Sequence, residues 1–266
     1  MSTTKVALVT GGARGIGLAI ARGLSEAGHT AAIADFDADA LAAADFDGPK
    51  YRVDVSQADS CERVVADVTN AHGSLDVLIN NAGLGMGIIR DDHFTTPVKI
   101  TEITPDQWHA IFAVNATGPF LMSRAATPGM MAGGWGRIVN VTTSFFTMLN
   151  EGFAPYGPAK AALESASAMW AKEFADTGVT VNVVVPGGPT DTRMVPESSN
   201  FARGDLIPVT AMVPPLVWLA STASDGVTGQ RFIGAQWDAT LEPTAAAEKA
   251  GAPVAWPDLV QNVVWP

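Results

Sequence analysis

The chain has 266 residues, of which 47% are hydrophobic and 16% charged, with a formal net charge of −11. That composition excludes a disordered chain and leaves room for one large domain with a sizeable core. The acidic balance opposes binding to phosphate backbones, which takes clustered Lys and Arg, so nucleic acid is not an expected partner. A single cysteine, Cys61, excludes an intrachain disulfide and a thiolate metal cluster. No apolar stretch reaches the ~20 residues of a membrane-spanning helix, and no signal-peptide core precedes the first strand-like segment. The expectation is a cytoplasmic protein with no membrane partner.

Residues 6–9 are a short β-branched and apolar run, followed by Thr10-Gly11-Gly12-Ala13-Arg14-Gly15-Ile16-Gly17 and a helical pattern through Gly28. Gly11, Gly15 and Gly17 form Gly-x-x-x-Gly-x-Gly between strand and helix, a spacing that lets backbone turn tightly and approach a pyrophosphate at a helix N-terminus. A second strand, 30–34, ends at Asp35, eighteen residues beyond Gly17, where an acidic residue takes the adenosine ribose hydroxyls. Arg14 would welcome a 2′-phosphate. A carboxylate at hydrogen-bonding distance from that phosphate opposes it by several kcal/mol at an effective dielectric of ~20, whereas Arg14 can point into water. Phe36, not a basic residue, follows Asp35, while Asp37 and Asp39 read as solvated loop acids. NAD is expected over NADP.

The alternation continues with strand 51–53 ending at Asp54-Val55, helix 58–71, and strand 77–79 ending in Asn80-Asn81-Ala82-Gly83. Repeated strand and helix units imply an α/β fold with a parallel sheet covered on both faces. Ligands bind such sheets beyond the carboxyl ends of the strands, where Asp35, Asp54 and Asn81 fall. Residues 84–105 form a long irregular segment. His93, beside Asp91 and Asp92, has no second histidine at ligand spacing and reads as exposed loop, so no metal is expected. A helix from Asp106 carries Asn115-Ala116-Thr117-Gly118-Pro119 in its middle. These are poor helix formers, and the readings are a local irregularity at a functional Asn115 or a simple kink.

Strand 136–141 ends in Thr142-Thr143-Ser144, and an apolar loop with Phe145, Phe146, Met148, Leu149 and Phe153 leads to Tyr156-Gly157-Pro158-Ala159-Lys160. Pro155 and Pro158 are tolerable only where a helix begins. In a helix, positions i and i+4 share a face, which puts the Lys160 ammonium beside the Tyr156 phenol. An unperturbed tyrosine titrates near ~10, and a neighbouring ammonium favours its charged form. The helix is expected to end near 177–178. Strand 179–185 then runs into Pro186-Gly187-Gly188-Pro189-Thr190-Asp191-Thr192, and a helix at 212–220 precedes a last strand at 231–236. Residues 237–266 read as a proline-punctuated, extended C-terminal tail. With no repeat and no linker, 1–266 reads as one domain, with 84–105 and 190–210 as active-site loops.

The ordered set Thr10-Gly11-x-x-x-Gly15-x-Gly17, Asp54, Asn80-Asn81-Ala82-Gly83, Asn115, Tyr156-x-x-x-Lys160 and Pro186-Gly187 resembles the short-chain dehydrogenase/reductase family over about residues 5–236. The resemblance implies one doubly wound, Rossmann-type domain of three α/β/α layers that binds NAD(P) and interconverts a secondary alcohol and a ketone. It implies Tyr156 as the acid/base, Lys160 lowering its pKa and holding the nicotinamide ribose, and Asn115 helping to position a water. For the cofactor it implies Gly11, Arg14, Gly15, Ile16 and Gly17 at the phosphates, Asp35 at the ribose, Asp54 and Val55 at adenine, and Asn81, Ala82 and Gly83 near the ribose. Pro186 and Gly187 belong to the same set. A homodimer or homotetramer is also implied, and Ala162, Leu163 and Ala166 suit close helix packing between subunits.

Three departures from the family pattern stand out. The position thirteen residues before the tyrosine, where the family has its catalytic serine, is Thr143. Either Thr143 supplies the hydroxyl for the substrate oxygen, or Ser144 does so through a shift at the strand end. Pro189 has no N–H to hold a nicotinamide carboxamide, which leaves Thr190 or Thr192 to compensate. The usual glycine-rich ending is replaced by Gly234-Ala235-Gln236-Trp237-Asp238 and the tail, which would cover the site or a neighbouring subunit. These departures are the grounds for an alternative, a non-catalytic dinucleotide-binding scaffold or regulator. Phe145, Phe146, Met148, Leu149, Phe153, Met194 and Phe201 would wall an apolar alicyclic or aromatic substrate, or else pack on the core or a partner subunit.

Overall fold

The computed structural model describes residues 4–259. Eight strands, β1 (Val6–Thr10), β2 (Thr30–Asp35), β3 (Lys50–Arg52), β4 (Val77–Asn80), β5 (Gly136–Val141), β6 (Val179–Val185), β7 (Gln230–Ile233) and β8 (Gly251–Pro253), make one sheet. Their spatial order is 3-2-1-4-5-6-7-8. All pairs are parallel except β7 with β8. The chain therefore leaves β1 toward β3 on one side and crosses back to β4 on the other, which opens a crevice at the carboxyl ends of β1 and β4.

Period-two alternation distributes each central strand between two cores. Ala7, Val9, Ile33, Val77, Ile79 and Val139 face one layer with Ile20, Leu24, Leu216, Leu219 and Phe232. Leu8, Ala32, Leu78, Ile138 and Val181 face the other, with Val64, Val68, Met122, Ala126 and Met130. The first layer is built on α1 (Gly15–Glu26) and α8 (Val213–Leu219) and the second on α3 (Ala58–His72), α5 (Gly118–Ala132) and α7 (Tyr156–Glu173), giving helices on both faces of the sheet. The short α2 (Ala38–Ala43) follows β2, and α4 (Pro105–Phe112) leads into α5 through a π-helical turn at Ala113–Thr117.

Several segments differ from the sequence expectation, among them the last strand, expected at 231–236, which ends at Ile233, and the Tyr156 helix, expected to end near 177–178, which ends at Glu173. Residues 145–149, read as loop, form the one-turn helix α6 (Phe145–Leu149), because the Ser144 hydroxyl accepts from the Thr147 N–H at 3.1 Å and caps it. The stretch after β7, read as an extended tail, holds α9 (Pro243–Ala250) and β8, which closes the sheet edge beside β7. Residues 260–266 of that expected tail lie outside the described residues. His93, read as exposed, is 4% accessible. Its Nδ1 lies 3.0 Å from the Arg90 carbonyl oxygen and its ring packs against Phe94, and burial holds its imidazole below the usual range. Among the described residues no helix is long and apolar enough to cross a membrane.

Candidate active site

The crevice begins at the turn from β1 to α1. Gly11 and Gly15 have φ of 63° and 54°, the left-handed region that favours glycine. At Gly17 a Cβ would stand 2.2 Å from the Gly11 carbonyl oxygen, so the helix starts against its own loop. The loop is pinned from β4: Asn81 Nδ2 donates to the Thr10 and Gly11 carbonyls at 2.9 and 3.1 Å, and the Thr10 hydroxyl accepts from the Asn81 and Ala82 N–H groups at 3.1 Å each. Asn81, expected near a ribose, thus has its amide engaged with the glycine loop. Ile16 packs on the first core. No side chain caps α1 and its first turn carries no acid. Its N–H groups and positive dipole end remain open to an anion, which fits the pyrophosphate of a dinucleotide.

Asp35 closes the other end of the crevice. Its Oδ2 accepts from the Ala13 N–H at 3.2 Å and its Oδ1 from the Asp37 N–H at 3.1 Å. Arg14, expected at the cofactor phosphates and free to point into water, pairs with Asp37. The Ala40 N–H, for which Asp37 caps α2, and then the Arg14 guanidinium hold the Asp37 carboxyl below the usual range. Asp54 turns inward on its own loop, accepting from the Ser56 N–H and hydroxyl at 3.0 and 2.6 Å. Val55 is buried against Gly118, where a Cβ would meet it at 2.9 Å.

At the centre, Tyr156 opens α7, and Lys160 and Glu164 follow it at i+4 and i+8 on one helix face. The Thr143 side chain, at the end of β5, is the neighbouring hydroxyl that acts on the Tyr156 phenol. Ser144 serves α6 instead, its hydroxyl also 2.8 Å from that of Thr147. Lys160 Nζ donates to the Val141 carbonyl at 2.8 Å. Burial brings its ammonium down to about 8. The same burial raises the Tyr156 phenol above its usual value, with the Thr143 hydroxyl pulling the other way. The spacing alone predicts a lowered phenol, but in this fold desolvation outweighs the pull of the Thr143 hydroxyl.

Asn115 sits fully buried in the π-helical turn, where its Oδ1 accepts from the Leu84 N–H and its Nδ2 donates to the Leu84 carbonyl, both at 2.8 Å. Gly83 fits between it and the lysine: a Cβ there would lie 3.4 Å from Asn115 Oδ1 and 3.7 Å from Lys160 Nζ. Beneath, a buried ladder runs across the sheet, with Asn80 Nδ2 donating to Ser123 Oγ at 3.2 Å and to Asn140 Oδ1 at 2.8 Å. Asn140 Nδ2 continues it to Ser167 Oγ at 2.8 Å. The strand ends are thereby fixed to α5 and α7.

After β6, Gly187 has φ 107° and a Cβ there would meet Ile233 at 2.8 Å, while the Pro186 carbonyl accepts from the Ala235 N–H at 3.0 Å. Thr190 is buried in a bridge to Ile207. Thr192 lies against the glycine loop, its methyl 3.4 Å from where a Gly15 Cβ would stand. Met194 covers Gly85, and the Ser198 hydroxyl donates to the Asp91 carbonyl at 2.9 Å. Of the apolar wall candidates, Phe153 and Phe201 meet edge-on at Phe94, with centroids 5.9 and 5.7 Å apart. Met148 is core, Phe146 and Leu149 are exposed, and Phe145 packs tilted against Trp256, with centroids 5.8 Å apart.

Sequence reasoning missed Phe94, Trp256, Glu164 and Arg231. Glu164 had a signal, the continued i+4 spacing beyond Lys160. The other three come to the site only through tertiary packing.

The family model described as short chain dehydrogenase matches residues 5–202. The chain is 36% identical over 239 residues to an acetoacetyl-CoA reductase of Shinella zoogloeoides, covering 85% of this chain and 95% of that one. It is 34% identical over 238 residues to the 3-oxoacyl-[acyl-carrier-protein] reductase FabG of Vibrio harveyi, covering 85% and 93%. A crystal structure of a gluconate 5-dehydrogenase from Burkholderia cenocepacia J2315, in complex with NADP and tartrate, aligns with a TM-score of 0.74 and 29% identity, over 86% of this chain and 92% of that one.

Proposed function

The chain belongs to the short-chain dehydrogenase family and is an NAD(P)-dependent oxidoreductase that interconverts secondary alcohols and ketones; from that premise we propose that Tyr156, Thr143 and Lys160 carry its chemistry. The supporting observation is Tyr156 opening α7 with Lys160 one turn further on the same face, anchored to the Val141 carbonyl of β5, beside the Thr143 hydroxyl that acts on the phenol. In the reductive direction the Tyr156 phenol, kept protonated by burial, gives its proton to the substrate carbonyl oxygen while the Thr143 hydroxyl donates to the same oxygen, and in the oxidative direction the Tyr156 phenolate takes that proton back. Lys160, charged at neutral pH with a value of about 8, favours the phenolate when the proton moves. Asn115 holds the Leu84 backbone and so fixes Gly83 beside Lys160. A nicotinamide dinucleotide bound in the crevice supplies the hydride acceptor for the carbinol carbon and the donor for the reverse reaction. The N–H groups of α1, with Gly11, Gly15, Gly17 and Thr192 around them, would hold its phosphates.

NAD is the cofactor we infer. Asp35 ends β2 where the adenosine ribose is read, and Arg14, the nearby cation that would otherwise meet a 2′-phosphate, is engaged by Asp37. The Phe94, Phe153 and Phe201 cluster, joining three loops above the site, supports a substrate with an apolar body. A homo-oligomer is supported by a depression of about 310 Å³ on the outer faces of α5 and α7, lined by Phe120, Ala162, Leu163, Ala166 and Trp170, with Phe120 46% exposed. The buried free thiol of Cys61, raised to about 11, suits a reducing, cytoplasmic setting. The scaffold alternative is not favoured, since the relatives reported above are named as enzymes.

The reading is tested by following cofactor absorbance across a panel of secondary alcohols and ketones with wild type, Tyr156→Phe, Thr143→Val and Ser144→Ala. We expect Tyr156→Phe to abolish turnover while cofactor binding persists, Thr143→Val to lose about 10²–10³ in kcat, and Ser144→Ala to stay within a few-fold. Loss of activity in Ser144→Ala with retention in Thr143→Val would reverse the hydroxyl assignment.

A further inference from the structure

Directly beneath the catalytic hydroxyl lies a charged pair that the chemistry above does not use. Glu164 is 0% exposed and Arg231 5%. Arg231 Nε faces Glu164 Oε1 at 3.2 Å, and Arg231 Nη2 donates to the Thr143 carbonyl at 2.6 Å. The other Glu164 oxygen, Oε2, accepts from the Thr142 hydroxyl at 2.7 Å, and Oε1 also accepts from the Ala255 N–H at 3.3 Å. Arg231 lies over the Phe145 ring, its guanidinium carbon 4.3 Å from the centroid, and Phe145 in turn packs tilted against Trp256. Both residues at the exit of β5, Thr142 and Thr143, are therefore held by one buried ion pair, Thr142 through its side chain and Thr143 through its carbonyl. The C-terminal segment around Ala255 is held by the same carboxylate.

Stability does not explain such a pair, because apolar residues of similar volume in its place are commonly neutral or stabilising. Its contacts suggest another use. The hydroxyl of Thr143 must point at Tyr156, and it stands on a strand end followed at once by a new helix, where backbone is free to turn unless something fixes the peptide. Arg231 fixes that peptide at its carbonyl, and Glu164 fixes Arg231 from the helix face that carries Tyr156 and Lys160.

We propose that Glu164 and Arg231 are positioning residues for the reaction, locking the Thr142 side chain and the Thr143–Ser144 peptide so that the Thr143 hydroxyl faces Tyr156, and that through Ala255 and Trp256 the C-terminal segment is part of this lock. The proposal rests on the assignment of the substrate hydroxyl contact to Thr143. It extends that assignment to two residues that touch neither substrate nor cofactor.

A double-mutant cycle tests it on the full-length protein. Glu164→Gln, Arg231→Met and the apolar replacement Glu164→Met/Arg231→Met are measured in the wild-type and Thr143→Ala backgrounds for kcat, KM, cofactor affinity and unfolding midpoint. The apolar double variant is included because each single change leaves one buried charge without its partner and can impair folding. The expected result is a fall in kcat of about 10- to 100-fold in the double variant, with cofactor affinity and unfolding midpoint near wild type. In the Thr143→Ala background the same change should lower kcat by less than about twofold, since the hydroxyl it positions is gone. A full kcat in the folded double variant, or an equal fall in both backgrounds, would overturn the positioning role. Wild-type turnover of Thr143→Ala itself would overturn the Thr143 assignment, a separate outcome that removes the ground of the proposal as well.

Discussion

Lys160 is the residue whose removal should make this protein more stable and less active. Burial alone takes its ammonium from the ordinary 10.5 down to about 8. At about 1.4 kcal/mol per pH unit, keeping the charged amine in the fold at pH 7 costs about 3 kcal/mol relative to the unfolded chain. Because the native state binds this proton less tightly than the unfolded state, the cost is complete below pH 8. It shrinks as pH rises, to about 2 kcal/mol at pH 9 and about 1 kcal/mol at pH 10. Lys160→Met keeps the volume and removes the charge, but it leaves the Val141 carbonyl without its 2.8 Å donor, a loss of about 1–2 kcal/mol. The net gain at pH 7 is therefore about 1–2 kcal/mol, and at pH 10 the variant should be no more stable than wild type. Urea unfolding of both proteins at pH 7 and pH 10 measures this, and turnover should fall by at least about a hundredfold. A variant less stable than wild type at pH 7, or a difference that does not change with pH, would refute the reasoning that desolvation dominates at this lysine.

Asp35→Ser should change cofactor choice. One negative charge about 5 Å from another is worth about 3 kcal/mol at an effective dielectric of 20, so the ratio of kcat/KM with NADP to that with NAD should rise at least about a hundredfold. An unchanged ratio would remove Asp35 from the ribose site. Phe120→Glu places a charge in the depression between α5 and α7. If that face joins two copies, sedimentation velocity should show an oligomer for the wild type and a smaller species for the variant, whereas a monomeric wild type would sink the oligomer reading.

Much of the frame was legible because parallel strands buried on both faces read as uninterrupted apolar runs. Residues 6–9 and 77–79 announce themselves this way, while 136–141 and 179–185 are β-branched-rich runs that Arg137, Asn140, Thr180 and Asn182 interrupt. What was illegible depends on contacts far apart in sequence. Gly251-Ala252-Pro253 has neither β-branched residues nor alternation, and becomes β8 only because β7 offers a free edge. The helix α6 exists because Ser144 caps it, the residue that sequence register left as a rival for catalysis. His93 is polar and flanked by aspartates, yet Phe94 and Phe153 enclose it. The Tyr156 and Lys160 pair was visible from spacing, while the direction in which burial moves the phenol required the packed site. Arg231 inside a strand gave no hint that it would reach back to Thr143.

The π-helical turn at Ala113–Thr117 has a consequence for how this chain tolerates insertion and deletion. A regular α-helix advances about 100° per residue, and a π-turn absorbs one extra residue between the helices on either side. It therefore acts as a phase shifter between α4 and α5. Met122, Ala126 and Met130 point into the second core only with that offset in place. Deleting one residue from 113–117 to regularise the helix would rotate this whole stripe by about a quarter turn away from β4 and β5, while extracting Asn115 from its hold on Leu84. The irregularity is thus an indexing device, coupling the reading frame of the α5 core face to the placement of a single asparagine in the site.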